Sequence, residues 1–489
     1  MNLTRKEERI IVIEHVEHSE AEISTLPLSS SSTPVTIERN QEHLTYFITD
    51  PLIRSSDEDI YLLPFLLEAD GTPWHLANQF LLDLAIKNKS EIGRKGTRDI
   101  RRKASMLLDY KIFCENAKDR DGNPAPINLF DFRSPFKSRR PTWRYYTYLT
   151  SESKVNPDSI NSRTGVVYQF YKFAASTPEI DLDLERVESL TNYTVFKETH
   201  YGTIKLEGEK RSQTITTSSD AAPVDIGFVR DEGEDLRPLL DTELRALLDA
   251  LSTDKFKTDE KLIHYLALCT GERKQTILTL RLHHLNYFDE KHLLPNGMYK
   301  LFVSPQNGCD TKNNKPHVLH VSKGLADKIK LWADSPIATE RREKFKSRFG
   351  SVLDDDDMYL FLSPTGDCRY MARNDPRYLK TKSPPTGQIT RNLKKKLLRI
   401  VGSEISSDFT FHWLRATFAK RLYRRCQHLV AEGKMLSGSE LNYIRQRMHH
   451  SDQHTTENYL KLFSSINERV SVQEIYEDSL FSEIFTEVM

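Results

Sequence analysis

The apolar residues of this chain change their period along its length, and that change limits the folds open to it. Near the N-terminus they run in short β-like stretches: Arg9-Ile10-Ile11-Val12-Ile13, Pro34-Val35-Thr36-Ile37 and Leu44-Thr45-Tyr46-Phe47-Ile48, the first two separated by a serine run at 29–32. From about residue 72 the spacing turns helical. Thr72-Pro73 reads as an N-cap with proline at the first helical position, followed by Trp74, Ala77, Phe80, Leu81, Leu84 and Ala85 at helical intervals. A second helix is expected over about 97–114 with Ile100, Ala104, Leu107, Leu108 and Ile112 on one face, a third over about 142–149, and a fourth over about 157–175 after a turn at Asn156. Residues 190–236 are polar with some strand character. A new helical stretch opens at Arg237-Pro238-Leu239-Leu240-Asp241, where Asp241 can cap a helix carrying Leu244, Leu247, Leu248 and Leu251. One β-hairpin interrupts the helices, Tyr299-Lys300-Leu301-Phe302-Val303 and His317-Val318-Leu319-His320-Val321 around a polar turn.

This pattern predicts a mainly α protein with small β elements (α+β). Its expected organisation is an accessory β-like region (1–65), a helical domain (66–190), a linker (191–236), a mixed domain (237–465) and an amphipathic C-terminal tail (466–489). The tail places Ile466, Val470, Ile475, Leu480, Phe481, Ile484 and Phe485 among acidic residues. With 38% hydrophobic and 29% charged residues, and no apolar run near the roughly 20 residues of a membrane helix, a globular protein of the cytoplasm is expected, with no membrane partner. No apolar signal segment opens the chain, and the five cysteines are scattered without a CxxC pair, which argues for a reducing compartment and against a zinc ribbon. The net charge of zero conceals segregation. Residues 87–172 hold 19 Lys/Arg against 9 Asp/Glu, residues 391–425 hold 10 against 2, and 465–489 hold 6 acidic residues and one basic. Two basic blocks offset by an acidic end are the footprint of a surface that faces a polyanion.

Four short motifs carry the chemistry. Arg273, in Cys269-Thr270-Gly271-Glu272-Arg273, stands where one helix ends at a glycine and another begins, a junction at which free helix N–H groups favour anions. Alone it reads better as a surface arginine beside a C-cap glycine. His412 and Arg415 are three apart and share a face of any helix, among Phe411, Trp413, Leu414 and Phe418. An arginine in such apolar company needs a partner, and a phosphate suits the guanidinium fork, although a structural salt bridge would also serve. His450 and Tyr459 are nine apart and would point to opposite faces of one helix, so a break at Ser451-Asp452 is required if both serve one cleft. An arginine pair, two histidines and a tyrosine, with no HExxH and no phosphate-binding glycine loop, are the groups that can attack a phosphodiester with a phenol and hold its charge. The acidic run at 354–357 reads as a solvated loop.

Thr270-Gly271-Glu272-Arg273, His412-Trp413-Leu414-Arg415, His450-Ser451 and Thr455-Thr456-Glu457-Asn458-Tyr459, in that order and spacing, resemble the signature of the tyrosine recombinase (phage integrase-like) family. The resemblance covers about 237–465, and the helical domain before it is similar, more loosely, to the family's core-binding domain. It implies a site-specific recombinase of double-stranded DNA, active as a tetramer on paired sites, associated with the nucleoid, requiring neither ATP nor a metal or other cofactor, and serving integration or excision of a mobile element. Tyr459 would be the nucleophile that forms a 3′-phosphotyrosyl enzyme. Arg273 and Arg415 would bind the non-bridging oxygens, while His412 and His450 would hydrogen-bond the phosphate. A hairpin lysine, Lys312 or alternatively Lys315, would protonate the leaving 5′-oxygen. The same chemistry could serve a type IB topoisomerase-like relaxing enzyme, and the fold could persist in a non-catalytic DNA-binding relative. The sequence departs from the family in three places. Thr276 stands where an acidic residue usually steadies the first arginine, and His449 where glycine usually precedes the second histidine. An insertion is expected between about 335 and 386.

Overall fold

A computed structural model describes residues 3, 5–17, 23–24, 33–39, 42–48, 59–90, 97–119, 121–151, 153, 155–177, 180–199, 202–215, 228–231, 234–449, 456 and 459. The chain divides into two compact units, Met1–Asp220 and Ala221–Met489.

The first unit begins with β1 (Ile10–Val16), β2 (Ile23–Ser24), β3 (Thr33–Arg39), β4 (Glu42–Ile48) and β5 (Ile60–Leu66). The strands β2, β4 and β3 form a small antiparallel sheet, whereas β1 pairs with β5. That second ribbon belongs to the helical core rather than to a separate decoration. Ile60, Leu63 and Leu66 are buried in one cluster with Trp74, Phe80, Leu107, Tyr145 and Phe170. The helices are α1 (His75–Ser90), α2 (Arg98–Glu115), α3 (Pro141–Ser151), α4 (Pro157–Ala175) and the short α5 (Leu184–Val187). The α4 start follows the expectation: Asn156 accepts a hydrogen bond from the Ser159 amide at 2.9 Å and proline occupies the first position. The α1 start does not. Pro73 bridges to Leu67 as an extended residue, so the helix begins at His75. Thr97 donates its hydroxyl to the carbonyls of Tyr61 and Leu62, which binds α2 to β5 instead of capping the helix. Arg9 is buried and forms a two-pronged bond to Glu115, the ion pair that closes β1 over α2.

The stretch read as a linker holds a long antiparallel hairpin, β6 (Leu190–Thr199) and β7 (Gly202–Arg211). Its described residues 190–194 are all exposed, so they carry no buried face that would set them apart from loop in composition. A second short ribbon, β8 (Val229–Asp231) and β9 (Glu234–Leu236), opens the second unit.

The second unit continues through α6 (Asp241–Ser252), α7 (Thr258–Thr270) and α8 (Lys274–Leu278) to the hairpin β10 (Met298–Val303) and β11 (His317–Ser322). It then runs through α9 (Lys323–Ala333), α10 (Pro336–Phe349), α11 (Ile389–Val401), α12 (Trp413–Ala431) and α13 (Glu440–Met448). Asp241 is not the cap of α6. Glu243 at the third position accepts the Leu240 amide at 2.9 Å and both guanidinium nitrogens of Arg237 at 2.6 Å, while Arg237 lies 4.3 Å from the Trp413 ring centroid. One buried carboxylate thereby fastens the opening Arg-Pro-Leu segment to the start of α12. The expected insertion is folded: Phe345, Leu353, Met358, Tyr359, Leu362, Cys368, Met371 and Ala372 form a core of their own. The acidic residues 354–357 are exposed on it, as a solvated loop should be. Among the described residues no helix is long and apolar enough to cross a membrane. The tail, 466–489, lies outside the described residues, as does His450.

Candidate active site

The site grows from one tight junction. Helix α7 ends at Gly271, which adopts φ +71° in the left-handed region. A side chain there would also meet Phe418 of α12, since an added Cβ would sit 2.3 Å from that ring. Only glycine allows both the turn and the close approach of α12. Arg415, in the first turn of α12 and 1% exposed, uses that proximity: its guanidinium donates to the carbonyls of Gly271 and of Met448, the last residue of α13. It therefore ties two helix C-termini, each the negative end of a helix, to a third helix. His412 caps the same helix, and its Nδ1 lies 3.6 Å from a Glu234 carboxylate oxygen. That contact with His412 is the main cause holding Glu234 below its ordinary carboxylate range.

Arg273, two residues past Gly271, borders two cavities. The first, about 450 Å³, is shared with His412, Lys274, Arg391 and Lys394 and edged by Glu234 and Glu272. Arg391 and Lys394 belong to the second basic block seen in the sequence, so that block lines the cavity holding two of the candidate residues. The second cavity, about 400 Å³, is shared with Lys312, Lys315, Arg445, His317 and His449. Both lysines are exposed on the turn between β10 and β11, where Asn313 and Asn314 carry φ +56°. The turn presents them side by side. Helix α8 is five residues long, too short for a sizeable dipole, so the positive charge lining this junction is that of side chains rather than of the helix terminus that the sequence suggested.

Thr456 and Tyr459 are helical and fully buried, Tyr459 within the core cluster of the second unit. A phenol so placed must be uncovered before it can meet a DNA phosphate. The break expected at Ser451-Asp452 lies outside the described residues. Helix α13 stops at Met448, with His449 as its left-handed cap at φ +55°, two residues before Ser451. Histidine there performs the backbone task usually given to glycine, at a cost of roughly 1–2 kcal/mol.

Sequence reasoning assigned no role to Glu272 or His317 and left that of His449 open. Glu272 is buried, and its carboxyl is pushed up by desolvation but more than compensated by His317, Arg415 and His449, ending at about 2. It accepts the Arg273 amide at 3.3 Å. The buried carboxylate sought three residues after Arg273 thus precedes it by one, and Thr276 instead donates to the Asp310 carbonyl at 3.0 Å. The buried Arg415 charge is answered by Glu272 and two carbonyls, so a phosphate is not needed to balance it. His449 is lowered to about 3 by burial, against the pull of Glu272. Only the motif letter Glu272 itself and the departure at His449 hinted at this cluster.

Residues 237–465 match the Phage integrase family. The chain is similar to the crystal structure of XerA recombinase at 16% identity, covering 82% of this chain and 98% of that one with a TM-score of 0.29. It is similar to the Tn1549 transposon integrase in complex with transposon right end DNA at 14% identity, over 81% and 99%, with a TM-score of 0.40. For XerH site-specific recombinase bound to palindromic difH substrate the values are 13%, 82%, 95% and 0.38. No curated protein matches the chain. The region 237–465 begins at the Arg237 clasp and contains the Gly271 junction, the hairpin, α12 and Tyr459, and it is this part of the chain that matches the phage integrase family.

Proposed function

We propose that the protein is a site-specific tyrosine recombinase that cuts and rejoins double-stranded DNA through a 3′-phosphotyrosyl intermediate, integrating or excising a mobile element as a tetramer on paired sites. The observation that supports this reading best is the cavity in which Arg273 and His412 meet Lys274, Arg391 and Lys394. Four cations around a histidine form a seat for a phosphate diester. In this reading Arg273 and Arg415 stabilise the charge that develops on the non-bridging oxygens, Arg415 acting from a position set by the Gly271 and Met448 carbonyls. His412, held by Glu234, and His450 hydrogen-bond the phosphate. Tyr459 attacks phosphorus once its burial is relieved, and its proton leaves through a neighbouring base. The 5′-oxygen departs with a proton from Lys312 or Lys315. The covalent bond conserves the energy of the broken diester, so a second 5′-hydroxyl can attack and reseal without ATP. Binding energy comes mainly from phosphates, through the basic blocks at 87–172 and 391–425, which predicts steep salt dependence.

A nicked suicide substrate carrying the element's end sequence tests this directly. The wild type should accumulate a covalent protein–DNA adduct that Tyr459→Phe cannot form. If the wild type forms no adduct on its own element's ends, or Tyr459→Phe forms as much, the reading fails. Given an adduct, strand exchange between two sites supports recombination, and relaxation of supercoils without exchange would replace it with a topoisomerase-like role.

A further inference from the structure

We propose that Glu272, His317 and His449 form a binding site for a divalent transition-metal ion of the zinc type, beside the candidate catalytic cavity. The three residues are far apart in sequence and arrive from three elements: the α7–α8 junction, the start of β11 and the cap of α13. The His317 Nε2 lies 3.3 Å and the His449 Nε2 3.4 Å from the same Glu272 oxygen, and the three ligand atoms all lie within 4.8 Å of one another. A tetrahedral zinc ion with bonds near 2.0–2.1 Å separates its ligands by about 3.3–3.4 Å, so the two spacings are those of a tetrahedron's edges.

The hydrogen-bonding pattern calls for a cation at this point. The His317 Nδ1 lies 3.1 Å from the Lys315 carbonyl, which can only accept, so Nδ1 carries the hydrogen. A second hydrogen bond of this kind orients metal-bound histidines and leaves Nε2 with a lone pair. That Nε2 is buried and faces a Glu272 carboxylate oxygen at 3.3 Å, outside good hydrogen-bond geometry. Either a proton on His317 or a metal ion can stand between them, and it is the second imidazole on the same Glu272 oxygen that suits the site to an ion. His449 supplies a second imidazole, with ring centroids 4.1 Å apart, from a left-handed residue that pays backbone strain to be there. The second cavity borders all three residues, giving the ion an entry path and room for a fourth, exchangeable ligand such as water. A bound ion would fasten the hairpin bearing Lys312 and Lys315, and the end of α13, to the residue beside Arg273.

Metal binding is read directly and does not depend on the cleavage reading. Full-length protein freed of metal with a chelator is titrated with Zn2+ against a chromophoric competitor, and with Co2+ followed by visible absorption. The wild type should take up one ion, give the intense d–d bands of a four-coordinate cobalt site, and melt at a higher temperature with Zn2+ than without. His317→Gln and His449→Gly should each weaken binding by more than the 10–100-fold typical of a lost outer partner, and abolish the cobalt bands. Glycine at 449 relieves the positive φ, so this variant should remain folded and melt no lower than the metal-free wild type. Cys269→Ser, which removes an exposed thiol elsewhere, should leave binding intact. Absence of a stoichiometric ion in the wild type, or binding unchanged in both histidine variants, overturns the proposal.

Discussion

The Gly271 junction and the turn at 312–315 both supply candidate catalytic cations, yet they are built in opposite ways. At the junction the chain is over-determined: a left-handed glycine against Phe418, a buried carboxylate, and an arginine clamped by two carbonyls. At the turn two exposed lysines sit on a left-handed asparagine pair, with Thr311 the last buried residue before them. Charge stabilisation demands fixed donors, because any reorganisation at the moment of reaction is paid in rate. Proton delivery needs only that a donor reach the leaving oxygen. The contrast teaches that Gly271, Glu272 and Arg415 are fixed by packing, whereas the two lysines stand exposed on a turn, and under the proposed mechanism bound DNA would have to place them.

That contrast can be broken at several points. Gly271→Ala adds left-handed strain to a 2.3 Å clash and should cost about 4 kcal/mol in urea unfolding. A cost under about 1 kcal/mol would mean that α12 can retreat and the junction is not fixed. Arg415→Lys keeps the charge but cannot span two carbonyls. Adduct formation should fall about 10²–10³-fold and stability by roughly 2 kcal/mol. Unchanged stability would show that the clamp is incidental. Lys312→Ala should behave in reverse, with stability within about 0.5 kcal/mol of wild type but cleavage about 10²-fold slower. A substrate whose leaving oxygen is replaced by sulfur, which needs no proton, should restore that rate. If Lys315→Ala shows this pattern instead, the acid is Lys315.

A separate effect, outside the site's chemistry, concerns pH. His264, on the helix that leads into the junction, is buried between Phe256 and Phe411, and burial lowers it to about 4 from an ordinary 6.5. The unfolded chain therefore binds the proton first. This contribution is fully present above about pH 6.5, declines as pH falls toward about 4, and is level below that, about 3 kcal/mol in total. His264→Phe should flatten the stability profile in that window and leave the cleavage rate at neutral pH near wild type. An unaltered slope would assign the acid sensitivity to other groups.

Much of the molecule was legible from residue order. Asn156-Pro157 marked the start of α4, the alternation around 299–303 and 317–321 marked the hairpin, and Thr270-Gly271-Glu272-Arg273 with His412-Trp413-Leu414-Arg415 marked the junction and α12. These signals are local: a cap, a period of two, a glycine after a helix. Where a local signal met a tertiary competitor it misled. Pro73 was drawn into a bridge with Leu67, and Asp241 lost the cap to Glu243.

By itself the sequence determined the succession of elements, the segregation of basic blocks and the identity of the groups able to attack and hold a phosphodiester. Tertiary structure alone decided which of them meet. Arg391 and Lys394 line a cavity with Arg273 and His412, and Glu272 joins His317, His449 and Arg415 around one carboxylate. Capping and periodicity are set by neighbours a few residues away and can be read in order. A buried charge is set by whatever packing brings to it from distant segments, and no spacing along the chain records that.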